Sequence, residues 1–150
     1  MKIVITGGST GIGYALGKSL ASKGHDVILT AVTEKQMIEV EQRSRGNENI
    51  ACIKMDIMEE EDREQLHTLD YDVLVCHAGI GMTGSLVDMP QEKIRELFEV
   101  NVFSTLACMQ IALDKMLEKD HGTIVVTSSL FGEMSYPFFG FYSGTRSVLT

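Results

Sequence analysis

The sequence is poor in positive charge. It carries 13 Lys and Arg against 21 Asp and Glu, for a net charge of −8 and a pI near 4.9. It has no clustered basic run, so nucleic acid and anionic membrane are poor partners. Cysteine is equally scarce. Cys52, Cys76 and Cys108 are odd in number and far apart, which excludes a disulfide framework and a zinc-type ligand set. They read as reduced, buried small residues. His25, His67 and His121 also lack metal spacing, and no metal is expected. There is no uninterrupted apolar run of bilayer length, no signal-peptide pattern, no repeat and no low-complexity segment. Met1 leads directly into an apolar stretch, from which a mature cytoplasmic N-terminus is expected. The 150 residues suffice for one domain with a sizeable core.

What is present is organised around the first apolar stretch and the turn after it. Lys2-Ile3-Val4-Ile5 is rich in β-branched residues and reads as a strand. It runs into Thr6-Gly7-Gly8-Ser9-Thr10-Gly11-Ile12-Gly13 and then into helical spacing, with Ile12, Ala15, Leu16 and Leu20 as the expected apolar stripe. A helix start offers unpaired amides and a partial positive charge, which suit a phosphate. Gly7 allows a tight turn. Gly11 and Gly13 lack the Cβ that would keep a ligand or a neighbouring strand away.

Further strands are expected at Val27–Val32, Ile50–Met55, Val73–Cys76 and Thr123–Thr127. Helices are expected over Glu34–Ser44 and Glu59–Leu69, and from Pro90 to about Glu118. Pro90 suits a helix start, and Gly24 and Gly122 are read as stops. Ser128–Gly140 is read as a loop, with a helix beginning near Phe141. Within the long helix Ile94, Leu97, Phe98, Val102, Leu106, Met109 and Leu113 form the apolar set. Met82, Met89, Met109 and Met116 read as core or pocket lining. The acidic run from Glu59 to Asp62 reads as a solvated helix start. Alternating strands and helices imply a parallel sheet with helices on both faces. With the glycine turn after its first strand, the expectation is a doubly wound α/β domain of the dinucleotide-binding (Rossmann-like) type, a three-layer αβα arrangement with five strands in the order 3-2-1-4-5. Ligands would bind at the carboxyl edge of that sheet, where the glycine turn, Asp56, Ala78-Gly79 and Ser129 all fall.

Taken together these features resemble the classical short-chain dehydrogenase/reductase family. Thr6–Gly13 resembles its TGxxxGxG turn. Asp56 matches the aspartate after the third strand, and His77-Ala78-Gly79 matches the tail of its NNAG. Asn101 matches the asparagine of its catalytic helix. Ser129 and Tyr142 stand at the family's spacing, and Tyr142-Ser143-Gly144-Thr145-Arg146 resembles YxxxK except at its last position. The resemblance implies an NAD(P)-dependent oxidoreductase moving a hydride between nicotinamide and a carbonyl or alcohol. It implies Asn101, Ser129, Tyr142 and Arg146 as catalytic residues. It implies Gly7, Ser9, Thr10, Gly11, Ile12, Gly13, Asp56, Ile57, His77, Ala78, Gly79, Tyr142 and Arg146 as cofactor contacts. A tyrosine ordinarily titrates near pH ~10, so a cation one helical turn away, at position 146, would help it exchange a proton.

The departures are informative. Arginine is forked and never neutral, unlike the family's lysine. Cys76-His77 replaces Asn-Asn, leaving His77 either a donor beside the cofactor or a packed strand end. No acid stands near Ala31 and no arginine at Val32, while Lys35 is close, which favours NADP over NAD. The aromatic Phe131–Phe141 stretch favours a hydrophobic small-molecule substrate. The chain ends at Thr150, just inside the helix bearing Tyr142. The expectation is therefore one domain over 1–150, incomplete at its C-terminus, with apolar surface left on the fifth strand and the long helix for self-association. The alternative function is a non-catalytic nucleotide-binding or interaction module that retains the fold.

Overall fold

The computed structural model describes residues 1–150. Its strands are β1 (Lys2–Ile5), β2 (Asp26–Ala31), β3 (Ile50–Lys54), β4 (Val73–Cys76) and β5 (Thr123–Val126). They form one five-stranded sheet in the order β3-β2-β1-β4-β5, and every neighbouring pair is parallel. The helices are α1 (Gly11–Ala21), α2 (Glu34–Arg43), α3 (Glu60–Arg63), α4 (Gln65–Thr68), α5 (Gln91–Phe98), α6 (Thr105–Lys119), α7 (Leu130–Glu133) and α8 (Gly140–Ser147), with a π-helical segment at Glu99–Ser104 between α5 and α6.

Alternation along the central strands builds a core on each sheet face. Ile3, Ile5, Val27, Leu29 and Val75 pack with Tyr14, Ala21 and Val40 of α1 and α2. Val4, Leu74 and Cys76 pack on the other side with Met55, Leu66, Val100, Cys108, Ala112 and Met116. Strand order and three-layer arrangement therefore match the expectation. All three cysteines are free; Cys76 and Cys108 are buried and Cys52 half-buried. Burial pushes the Cys76 thiol up to about 12 and that of Cys108 to about 11, as befits unreactive core residues.

Several local expectations are corrected. In α1 Leu16 and Leu20 of the expected stripe pack half-buried against the core, but the fully buried residues are Gly13, Tyr14, Gly17 and Ala21, whereas Ala15 is exposed and Ile12 is 74% exposed. The small glycines let the helix lie close to the sheet: a Cβ at Gly17 would stand 2.6 Å from Leu29 Cδ2. The helix expected over Glu59–Leu69 is two short ones, α3 and α4. Its acidic start is not wholly solvated, because Asp62 Oδ2 accepts the Asp56 N–H at 2.8 Å. Pro90 caps α5 from an extended conformation and is not its first residue. The long helix does end where expected, at Lys119, but the left-handed residue that closes it is Asp120, at φ 57°, and not Gly122. Ser128–Gly140 contains α7, which Ser129 caps by accepting the Phe131 N–H at 3.2 Å.

By length and composition the continuous helix Gln91–Lys119 could cross a membrane, but its α6 part packs against the sheet through Cys108, Ala112 and Met116, as a core helix does. Leu106 and Leu113 of the expected apolar set are 38% and 49% exposed, and Leu117 beyond it is 69% exposed, so apolar side chains of the long helix face outward. On the edge strand β5, Val125 is 44% exposed.

Tyr71 lies in the second of these cores, 1% exposed, with no partner for its hydroxyl. Burial drives its phenol up to about 12. An unmet buried hydroxyl costs stability that a phenylalanine would not. Tyr71→Phe is expected to be more stable by about 1 kcal/mol in urea unfolding; a loss of that size would show that the hydroxyl is satisfied in solution.

Candidate active site

The turns after β1, β3 and β4 enclose a cleft of about 600 Å³ at the carboxyl edge of the sheet. Gly7, Ser9, Thr10, Gly11, Ile12, Asp56, Ile57, His77, Ala78 and Gly79 line it. Thr6 is the fastener behind these turns. Its buried Oγ1 accepts the N–H groups of His77 and Ala78 at 3.1 and 3.2 Å, which ties the β1 turn to the β4 turn. The Gly7 N–H donates to Thr30 Oγ1 at 3.1 Å. Gly7 has φ 65°, and a Cβ there would stand 2.7 Å from Ala78 Cα, so only glycine fits without strain.

At the start of α1 the Thr10 side chain makes no capping bond. The amides of Gly11, Ile12 and Gly13 find no acceptor within the protein, and the first closed bond is Tyr14 N–H to Thr10 O at 3.1 Å. Gly11 is left-handed at φ 52° with open space where a Cβ would project. The result is a cradle of unpaired donors at the positive end of a helix. Gly13 faces inward: a Cβ on it would meet Gly7 O at 2.6 Å and His77 Cδ2 at 2.8 Å. It permits close packing of the turn and does not line the cleft. Asp56 Oδ1 accepts the Met58 N–H at 3.0 Å. His77 Nδ1 lies 3.2 Å from Thr127 Oγ1; burial, and then the charge of Arg146, pull its imidazole below the usual histidine range.

Asn101 is fully buried in the π-helical segment. Its Oδ1 accepts the Ile80 N–H at 2.8 Å, while Nδ2 donates to Ile80 O at 2.9 Å and to Thr145 Oγ1 at 3.1 Å. The wider turn brings Val100, Asn101 and Val102 inward in succession, all buried, which the single buried stripe of a regular helix does not do. Ser129 and Tyr142 line a second cavity, of about 360 Å³, with Gly81, Met82, Thr83, Phe131 and Phe139. Tyr142 packs edge-on to Phe131, ring centroids 6.2 Å apart.

Arg146 lines neither cavity and sits between them. It is 7% exposed. Its guanidinium carbon is 5.2 Å from the Tyr142 ring centroid, and Nη1 donates to Thr127 O at 3.3 Å. A Cβ on Gly79, in the cleft wall, would collide with Nη2 at 2.3 Å. Its Nε has no partner, and no carboxylate pairs with it. Tyr142 likewise stands outside the cleft. The sequence reading used Val32 only as the place of a missing arginine, and it missed Gln36, Met58, Ile80, Glu96 and Val100 in the cleft wall. Of these, Ile80 had a signal, since it follows the turn after a strand.

A family model described as short chain dehydrogenase matches residues 1–150. The chain belongs to the short-chain dehydrogenase family. Members of this family are oxidoreductases, generally dependent on NAD or NADP. A hydroxysteroid 11-beta-dehydrogenase 1-like protein of Gallus gallus is 36% identical, over 99% of this chain and 54% of the relative. An NADPH-dependent 1-acyldihydroxyacetone phosphate reductase of Saccharomyces cerevisiae is 34% identical, over 97% and 51%. A diacetyl reductase [(S)-acetoin forming] of Staphylococcus epidermidis is 29% identical, over 95% and 59%. The chain thus spans between half and three-fifths of these relatives' lengths. Among short-chain dehydrogenase structures, ElxO with NADP bound superposes with a TM-score of 0.91 at 26% identity, covering 99% of this chain and 63% of that one. One from Streptomyces avermitilis gives 0.88 at 27%, covering 99% and 56%.

Proposed function

We propose that this chain binds NAD(P) in the cleft and transfers a hydride between its nicotinamide and a small carbonyl or alcohol substrate. One observation carries the reading. A cradle of unpaired amides opens onto the cleft, and Arg146 joins that cleft to a cavity bearing the Ser129 and Tyr142 hydroxyls. The cradle fits a diphosphate: the donors are free, the helix end is positive, and Gly11 leaves room. Gly7 to Ile12 would hold the diphosphate, and Asp56 and Ile57 the adenine end. His77, Ala78 and Gly79 would form the floor towards the nicotinamide. The bound dinucleotide would supply or accept the hydride.

In reduction, the Tyr142 hydroxyl would give its proton to the carbonyl oxygen, and solvent would restore that proton. The Ser129 hydroxyl, whose oxygen accepts from Phe131 N–H, keeps its own proton to donate to the same oxygen. Arg146 is a fixed cation beside both partners. Asn101 holds the Ile80 backbone, next to Gly79, and the Thr145 hydroxyl in place. Val32 and Gln36 at the cleft rim bring no carboxylate against a 2′-phosphate, which supports NADP. The NADPH-dependent yeast relative and the NADP-bound neighbour are consistent with that. The outward leucines of α6 support a homo-oligomer through the long helix.

A specific observation favours a second reading. A guanidinium cannot give up its proton in a protein, so Arg146 suits a chain that binds the dinucleotide without turnover. The test is NADPH and NADH oxidation with a panel of neutral ketones and aldehydes. Oxidation, faster with NADPH, is expected. Binding of both dinucleotides with no oxidation of either would leave the binding module as the better account.

A further inference from the structure

The substrate class is written in the two segments that face the Ser129–Tyr142 cavity. A second cavity, of about 430 Å³, lies between the same segments and is lined by Leu86, Tyr136, Pro137, Phe138 and Phe141 together with Gly84 and Gly140. No charged residue lines either cavity. Residues 81–87 contain no charged side chain, and residues 129–141 contain one, the exposed carboxylate Glu133. No cation in either segment is available to a phosphate, carboxylate or sulfate on a substrate.

Phe138 carries the second observation. It is left-handed at φ 69°, a conformation a bulky aromatic rarely adopts, and the residue is 67% exposed. The Gly84 N–H donates to its carbonyl at 2.9 Å, which clips the two segments together and holds the strained residue. Leu86 and Tyr136 beside it are 77% and 55% exposed. Strain kept to display an aromatic ring at a cavity mouth points to a ligand.

Building on the proposed function, we infer that this chain takes neutral carbonyl compounds bearing an extended apolar substituent. The carbonyl lies in the cavity with Ser129 and Tyr142, and the substituent lies between Leu86 and Phe138. Phosphorylated and carboxylated substrates of the same length are disfavoured, because neither segment offers a cation to their charge and it must lie against apolar side chains.

The test uses the full chain with NADPH and three probes: acetone, methyl nonyl ketone, and the ω-carboxylate of methyl nonyl ketone. Expected values of kcat/KM rank methyl nonyl ketone above acetone by about tenfold or more, and above its carboxylate by a similar factor. Phe138→Gly relaxes the backbone while removing the ring, so it folds; the ratio of methyl nonyl ketone to acetone is expected to fall about tenfold in it. Saturation-transfer NMR reads ketone binding with no need for turnover. If the dinucleotide binds but methyl nonyl ketone gives no transfer, or the carboxylate binds equally well, the inference is overturned while the cofactor reading stands. If the dinucleotide fails to bind and the ketone still saturates in a Phe138-dependent way, the inference stands and the oxidoreductase reading falls.

Discussion

Tyr142→Phe is expected to lower kcat/KM for carbonyl reduction by about 100- to 10,000-fold, the usual worth of a positioned acid. The substitution removes one oxygen and little else. The ring keeps its edge-on contact with Phe131 and its place beside the Arg146 guanidinium. The cleft that would hold the dinucleotide is lined by other residues. Melting temperature and its rise on adding NADPH are therefore expected to persist, which separates a lost proton donor from a lost fold. A loss of only a few-fold would remove Tyr142 as the acid. Arg146→Lys is the companion variant. Turnover that appears only with lysine would favour the non-catalytic reading, since the cleft would then bind without reacting in the chain as it stands.

Asn101→Ala is expected to cost about 2–4 kcal/mol of stability. The side chain satisfies both the N–H and the C=O of Ile80 and also donates to Thr145 Oγ1. Truncation leaves two backbone groups without partners in a partly buried place, and each such loss typically costs ~1–3 kcal/mol. Thr145 suffers less, because its hydroxyl also donates to Tyr142 O at 2.7 Å. Asn101→Asp offers no rescue. Its carboxylate still accepts from Ile80 N–H but turns a second acceptor towards Ile80 O, where the amide donated. Because Ile80 and the adjacent Gly79 form part of the cleft wall, both variants are expected to weaken dinucleotide binding as well. Urea denaturation of the two proteins tests this; wild-type stability in Asn101→Ala would mean that water replaces the amide without penalty.

The fold was legible because its signals are local and repeated. Apolar runs rich in β-branched residues at Ile3-Val4-Ile5 and Val73-Leu74-Val75 alternate with helical segments, and a parallel sheet follows from that alternation. The glycine turn was legible for a similar reason, since strand, glycines and helix occupy consecutive residues. What escaped depends on distant partners. Half of the α1 stripe was misplaced: Leu16 and Leu20 do pack on the core, but Gly13 and Gly17, which carry no side chain to mark them as apolar, lie closer to the sheet than Ile12 and Ala15. The outward leucines of α6 follow an apolar spacing that fits a core, yet Cys108, Ala112 and Met116 pack there. The π-helical segment carries Asn101 and its bonds to Ile80, a contact across 21 positions that no local pattern announces. The burial of Arg146 between two cavities is likewise a product of the fold: spacing placed it one turn from Tyr142 but could not reveal that Gly79 and Thr127 surround it.

The central claim is that the free amides opening α1 receive the diphosphate of NAD(P). Calorimetric titration of NADPH and NADH into the wild-type chain and into Gly11→Asp tests it most directly. Aspartate tolerates the left-handed backbone better than most residues and is favoured at a helix start, so the variant is expected to keep its stability within about 1 kcal/mol. Its carboxylate would occupy the open space beside the cradle. Wild-type protein is expected to bind with a preference for NADPH, and Gly11→Asp to lose about 100-fold or more in affinity through like-charge repulsion. No binding by the wild type, or equal binding by a folded Gly11→Asp, would contradict the account.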